Sequence, residues 1–490
     1  MPSPAEPAQP DTTAPVGPVT VERSGWANDK SLFAGRVAQV FATKMAQFVL
    51  GAATLFLIAR LLDTANDTTP YGEYQLLLTW VGLLFAVGQL GMPAAMTYMA
   101  GRGRSVVSLE RMALGLTLAI SVVLGAAAII ALPLLRDSVL RALSGSQGTT
   151  SDDLLRVVLI ALPCQLIMQF AAGILYTRGY NRAFNAIQVA QAALMLILTL
   201  LLVGVFPLGV PGAVAGYLVA SCAGALGAVV QVRRLARRPE GAKGPAASAR
   251  EFVSYGIRLY PQNVMSFFNY RVDVLILSWM LGYRADVLQL IAYYGIAVRL
   301  AEMTFYVPDA ISAMLYPAIS SSARHEADRF APAVSRFTML ATTLAATAIV
   351  PAAFVAIWLI LPDFKPAFPA LVVIMPGIVS LSLSKVLASY TSGVGRPTPT
   401  AVAAIVALTL NIVANLILIP RWGIVGASAS SLISYTCHAS ILLVMASRMA
   451  RVSPLAFVLP RTAEFARLRR GLATGVTMVR ASAGRSRPGS

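Results

Sequence analysis

The chain has 490 residues, of which 57% are hydrophobic and 12% charged, and its mean hydropathy is +0.71. Too few polar side chains remain to coat a water-soluble body of this size, so a soluble enzyme or carrier is excluded and the sequence reads as a polytopic membrane protein. The net charge of +18 does not indicate nucleic acid, because the basic residues are dispersed between apolar runs and lack interleaved aromatics.

Residues 1–31 are rich in Pro, Ala and Thr, include acidic residues and have no apolar core before Leu32. They read as a disordered cytoplasmic tail and not as a cleavable signal. Twelve apolar runs follow, with cores at 33–61, 74–99, 112–135, 154–177, 183–205, 212–232, 252–281, 288–315, 333–361, 368–392, 398–419 and 424–447. Each is long enough for one helical crossing of a bilayer. The expected fold is therefore all-α, with lobes at 32–232 and 251–448 joined by a cytoplasmic linker at 233–250 that begins Arg-Arg-Leu-Ala-Arg-Arg.

Several spans carry polar residues that hydrocarbon does not tolerate. In the first, Arg36, Gln39, Thr43 and Gln47 share a helix face, with Lys44 beside it. In the seventh, Tyr255, Arg258, Gln262, Ser266, Asn269 and Asp273 recur every three or four residues and also share one face. Such faces turn toward a bundle interior or an aqueous cavity, since a charge at membrane depth costs about 3 kcal/mol on insertion scales. In the eighth span Arg299 and Glu302 stand one turn apart, with Tyr306 and Asp309 continuing past Pro308; they form either a self-neutralising pair that fastens helices or part of a site. Lys385 in the tenth span has no acidic neighbour at helical spacing, which makes it the stronger candidate for an anionic ligand unless its stem snorkels to the interface. Arg60 and Arg336 lie near span ends and read as interfacial anchors. The amides Gln165 and Gln169, Asn185, Gln188 and Gln191, and Asn411 and Asn415 either join helices or face the cavity. The candidate cavity set is thus Arg36, Lys44, Gln47, Arg258, Gln262, Asn269, Asp273, Arg299, Glu302 and Lys385.

The two halves repeat. Tyr176-Thr177-x-Gly179-x-x-Arg182 recurs as Tyr390-Thr391-x-Gly393-x-x-Arg396, an offset of 214 that persists into the turns Gly209-Val210-Pro211-Gly212-Ala213 and Gly423-Ile424-Val425-Gly426-Ala427. Nearer the start of each half, Arg36 and Gln47 match Arg258 and Asn269, and Gly72 matches Gly295. Six spans per half make this a parallel repeat, the plan of a secondary transporter with its site between the halves. Arginine-rich connections at 102–111, 178–182 and 233–250 and a basic tail alternate with connections holding Asp63, Asp67, Asp152 and Asp153, which predicts cytoplasmic termini. The excess positive charge would also attract anionic headgroups, so membrane lipids are expected partners. Within the tail at 449–490, Phe465, Leu468, Leu472 and Val476 at helical spacing describe either an interfacial amphipathic helix or a disordered basic anchor. Cys164, Cys222 and Cys437 are far apart in sequence and read as packing residues, and with His325 and His438 isolated no metal or nucleophile constellation is expected.

From Gly395-Arg396-Pro397 through Asn411-x-x-x-Asn415 to Pro420-Arg421-Trp422-Gly423-x-x-Gly426-Ala427 the chain resembles the polysaccharide-exporter branch of the MOP superfamily, the Wzx-type flippases. Leu90-Gly91-Met92-Pro93, Tyr294-Gly295-Ile296-Ala297-x-Arg299-Leu300 and Pro317 are similar to the same family, and the resemblance covers residues 30 to 450. It implies a V-shaped pair of six-helix lobes in a bacterial inner membrane that moves a polyprenyl-diphosphate-linked sugar between leaflets by alternating access. It implies no cofactor and no chemistry, and leaves room for glycan-polymerase partners. A MATE-type cation-coupled drug exporter is the nearest alternative, although no carboxylate lies at depth in the first six spans. A scaffold for glycan-synthesis enzymes is a third, disfavoured by the polar span faces.

Overall fold

The computed structural model describes residues 30–63, 67–89, 95–96, 99, 104–136, 154, 156–157, 159–177, 180–237, 245–246, 248–321, 324–394, 396 and 398–459. The expected N-terminal tail, most of the linker and the stretch at 461–476 lie outside these residues. Among the described residues of the first half the helices are α1 (Lys30–Leu62), α2 (Thr69–Gly88), α3 (Val106–Arg136), α4 (Ala161–Thr177), α5 (Asn181–Thr199) and α6 (Gly209–Ala236). The second half comprises α7 (Ala249–Leu281), α8 (Val287–Glu302), α9 (Tyr306–Ser321), α10 (Arg324–Leu359), α11 (Ala367–Gly393), α12 (Thr398–Ala450) and a one-turn α13 (Leu455–Val458). There is no strand among the described residues, and the expected all-α fold holds.

Among the described residues, eight helical segments are long and apolar enough to cross a membrane, and α12, with 53 residues, is two helices joined at a bend at Gly423. The eighth span is broken. A 3-10 turn at Met303–Phe305 separates α8 from α9, where Pro308 cannot donate to the carbonyl four residues back. The break follows directly on Arg299 and Glu302.

The repeated glycine turns take the same backbone form in both halves. Gly209 has φ +60° and Gly423 φ +57°, a conformation that a Cβ resists. Three residues later, a Cβ on Gly212 would lie 2.8 Å from the Leu202 carbonyl oxygen and one on Gly426 2.2 Å from that of Leu418, so each new helix starts hard against the previous one. The second copy of the Tyr-Thr motif is structural as well. Tyr390 donates to Asp328 Oδ1 at 2.5 Å, Thr391 and Thr400 hydroxyls meet at 3.0 Å, and the Arg396 amide donates to the Thr391 carbonyl at 2.9 Å.

Packing sorts the helices into two lobes. In the first, α6 contacts α4 and α5, and α5 contacts α1; in the second, α11 contacts α9, α10 and α12, and α12 contacts α7. Across the seam α2 meets α8 and α7, and α1 meets α9. Equivalent elements therefore exchange partners, first with eighth and second with seventh, as an isologous interface requires. The largest apolar core straddles the seam, with Tyr71, Tyr74 and Leu77 against Leu277, Ile291 and Tyr294, and smaller cores lie inside each lobe.

The seam is sealed at the end where α1 finishes. There Gly72 lets α2 touch the α8 backbone, since a Cβ would stand 1.9 Å from the Leu288 carbonyl oxygen. Phe364 packs edge-on against Tyr71 at 5.5 Å and Tyr293 at 6.1 Å, and Gln289 donates to Asp67 Oδ1 at 3.3 Å. Gly72→Ala is expected to wedge this end open, because overpacking of about 1–3 kcal/mol lowers the closed-to-open ratio about 5- to 150-fold. Nitroxide labels on exposed Leu208 and Tyr283, one per lobe, would report it as a longer distance; an unchanged distribution would contradict the seal.

Two expectations change. Arg336 is no interfacial anchor: it is 6% exposed and donates to the Ala456 carbonyl. With Phe457 fully buried and Arg324 donating to the Met449 carbonyl at 3.2 Å, the chain through residue 459 packs onto the second lobe. Cys164 and Cys222, distant in sequence, have sulfurs 3.4 Å apart between α4 and α6 as free thiols. Arg60, at the end of α1, is 56% exposed and stands 3.6 Å from Asp63.

Candidate functional site

A cavity of ≈ 310 Å³ lies on the seam. Phe48, Thr54, Tyr71, Tyr74, Gln75 and Tyr217 of the first lobe line it opposite Arg299, Glu302, Met303 and Tyr306 of the second. A narrow recess of ≈ 40 Å³ continues from Gln75 and Arg299 toward Arg271 and Tyr294. The break after α8 puts Arg299, Glu302 and Tyr306 on this wall, because helical turns on either side of a 3-10 turn present their side chains in different directions.

Charge pairing here is not the pairing that sequence spacing suggests. Glu302 binds Arg271 of α7 at 3.0 Å, with both side chains about one-fifth exposed at 22% and 19%. Arg299 is left with no carboxylate in salt-bridge range among the described residues. Its charge instead acts on the hydroxyls of Tyr71, Tyr74, Tyr217 and Tyr306, three from the first lobe and one from the second. Of the two readings of Arg299 and Glu302, the self-neutralising pair thus gives way to a cross-helix pair and a guanidinium that faces a cavity with no carboxylate partner among the described residues. Arg271 escaped the sequence reading because it lies off the polar face that runs through Asn269 and Asp273.

Lys385 is reversed in the same way. Its own helix offers no acid, but Asp309 of α9 binds its ammonium at 2.6 Å, and the ammonium stands 3.9 Å from the centre of the Phe305 ring. Lys44 of the first lobe feels both Asp309 and Lys385 and donates to Gln47 at 3.2 Å, while Gln47 donates to Gln188 of α5 at 3.0 Å. Among the described residues here, the cations Arg271, Arg299, Lys44 and Lys385 outnumber the carboxylates Glu302 and Asp309.

Asn269 and Asp273, expected on the cavity wall, are each 1% exposed inside the second lobe. Asp273 accepts from Tyr294 at 2.7 Å, from Asn415 at 2.5 Å and from Ser431. Asn415 also donates to Asn411 at 2.8 Å, Asn411 to Ser434 at 3.3 Å, and Ser434 to Asn269 at 3.1 Å. This network clasps α7, α8 and both parts of α12, with three donors satisfying the Asp273 carboxyl in place of water. Gln165 likewise joins helices, reaching Tyr217 at 3.1 Å and Ser221 at 3.3 Å. The side chains of Arg36, Arg258 and Gln262 lie outside the described residues. No group of three or more metal-ligating side chains occurs among the described residues.

The family model described as polysaccharide biosynthesis protein matches residues 37–323, more than half of the chain. The chain belongs to this family. Solved structures of membrane transporters share the fold. One is lipid II flippase MurJ in an inward closed conformation, with TM-score 0.64 and 14% identity over 83% of this chain and 87% of that one. Another is a multidrug resistance MATE family transporter in an inward-facing conformation, with TM-score 0.62 and 14% identity over 85% and 98%. A third is a eukaryotic MATE transporter, AtDTX14, with TM-score 0.58 and 13% identity over 86% and 96%. At these identities the likeness concerns the fold alone. No curated protein sequence matches the chain. As a member of the polysaccharide biosynthesis family, the protein is a multi-pass membrane component of glycan assembly.

Proposed function

We propose that the protein is a flippase that carries a polyprenyl-diphosphate-linked oligosaccharide from the inner to the outer leaflet by alternating access of its two lobes. The observation that carries this reading is Arg299, a guanidinium without a carboxylate partner among the described residues, set in a cavity shared by both lobes. A diphosphate is the ligand class that a planar fork of donors suits. Phenols of Tyr71, Tyr74, Tyr217 and Tyr306 and the Gln75 amide are suited to phosphate oxygens and sugar hydroxyls. The cations on Lys44 and Lys385 extend the positive surface along the seam, and Arg36 and Arg258 are proposed to continue it.

With cytoplasmic termini in a bacterial inner membrane, the sealed end of the seam is the outer one. The flanking parts are then an N-terminal tail at 1–31, a linker at 233–250 and a basic tail at 449–490 that meets membrane lipids or glycan polymerases. A cation-coupled drug exporter fits less well, because Glu302 and Asp309, the carboxylates near the cavity, are each occupied by a cation of the same lobe.

The test is a deletion strain assayed for its glycan and for lipid-linked intermediate in each leaflet. Intermediate accumulating in the cytoplasmic leaflet is the expected result. Normal glycan with hypersensitivity to cationic drugs would replace the flippase reading with the exporter.

A further inference from the structure

At the sealed end of the seam, Asp63 ends α1 with a side chain that is 1% exposed. Neither of its carboxylate oxygens has a hydrogen-bond donor among the described residues. Its neighbour across the seam is another carboxyl, Asp363, in the 3-10 turn Pro362–Phe364 of the second lobe, close enough to share a proton with it. Phe364, next in sequence, is the ring wedged between Tyr71 and Tyr293, so the carboxyl pair and the aromatic plug move as one.

Other charges near Asp63 do not replace a proton. Arg60 lies 3.6 Å away, but it is more than half exposed and its charge is screened by water. Asp67, from the α1–α2 connection, adds negative charge, and its own carboxylate is engaged by Gln289 of α8 and the Thr69 amide. Lys365, two residues beyond Asp363, stands 6.0 Å from the Trp358 ring. Two ionised carboxylates held side by side repel, whereas one shared proton turns repulsion into a hydrogen bond.

We propose that Asp63 and Asp363 form a proton-operated latch, in which one proton held between carboxyls of opposite lobes closes this end of the seam and its loss releases it. The latch rests on the geometry of the lobes and not on the identity of the cargo. Burial first, and the Asp363 carboxyl second, raise Asp63 to about 6 in the closed conformer; once the lobes part and water reaches it, it ionises near the usual ~3.9. The closed conformer therefore keeps a proton that the open one gives up. Closure is most favoured below about pH 4, weakens as pH rises toward about 6, and changes no further above that. With this end facing the cell exterior, external protons set the latch and their departure into water accompanies opening.

The experiment uses the full chain with Cys164, Cys222 and Cys437 replaced by Ser and nitroxide labels at Leu208 and Tyr283, measured by pulsed electron resonance at pH 4.5, 5.5 and 7.5. The closed-to-open ratio is expected to fall about 25-fold across this range, the part of a two-unit pKa difference that lies above pH 4.5. In Asp63→Asn, whose amide can donate to Asp363 at every pH, the ratio is expected to stay high and flat. Asp363→Asn makes the same test from the other lobe if the first variant fails to fold. A ratio independent of pH in the parent, while Gly72→Ala still lengthens the distance, overturns the latch. So does a full pH response retained in either Asn variant. Neither result would bear on the cargo, which the leaflet assay decides separately.

Discussion

Arg299→Ala is expected to lower transport of the lipid-linked substrate about 10- to 100-fold in vesicles reconstituted with the purified protein. Each of the other described cations on the seam has a neutralising or hydrogen-bonding partner: Glu302 on Arg271, Asp309 on Lys385, Gln47 on Lys44. Arg299 is the one whose charge is left for a ligand, and a hydrogen bond to a charged group is worth about 1.5–3 kcal/mol, equivalent to that range of affinity. Arg299→Lys keeps the charge and loses the planar fork, so it should fall between parent and Ala. Because removing Arg299 orphans no carboxylate, the variant should insert and melt as the parent does. Parental transport by Arg299→Ala would remove this side chain from the site.

Asp273→Ala acts on folding and not on the cavity. The substitution strips an acceptor from Tyr294, Asn415 and Ser431 in a region of near-zero exposure. Each orphaned buried donor costs about 1–3 kcal/mol, and three are orphaned together. Asn415 Oδ1 and Asn269 Nδ2 already have no hydrogen-bond partner among the described residues, so the cluster has no slack with which to rearrange. The expected outcome is poor membrane accumulation and a lower unfolding midpoint in detergent, with Asp273→Asn milder because its amide oxygen still accepts. A variant that melts with the parent would mean that other contacts fasten α7 to α12.

Part of this architecture could be read directly from residues. Apolar runs fixed the spans, because a bilayer demands about 20 such residues per helix. The recurring Gly-x-x-Gly turns identified the two halves, and Gly209 and Gly423 indeed share a left-handed backbone. Those signals are local: a turn or a span is decided within a few residues.

The site was legible only as a surplus of cations. Periodicity shows that a helix face is polar but not what it meets. The Asn269 and Asp273 face of α7 turned out to meet α12 inside its own lobe, while Arg271, off that face, reached Glu302 beside the cavity. Lys385 looked free because its acid, Asp309, is 76 positions away, and Arg299 looked paired because Glu302 is three positions away. Sequence alone determined the number of spans, the repeat and the sign of the charge between the halves. Tertiary structure decided which cation stays unpaired, since ion pairs form with whatever the packing of separate helices brings within about 4 Å.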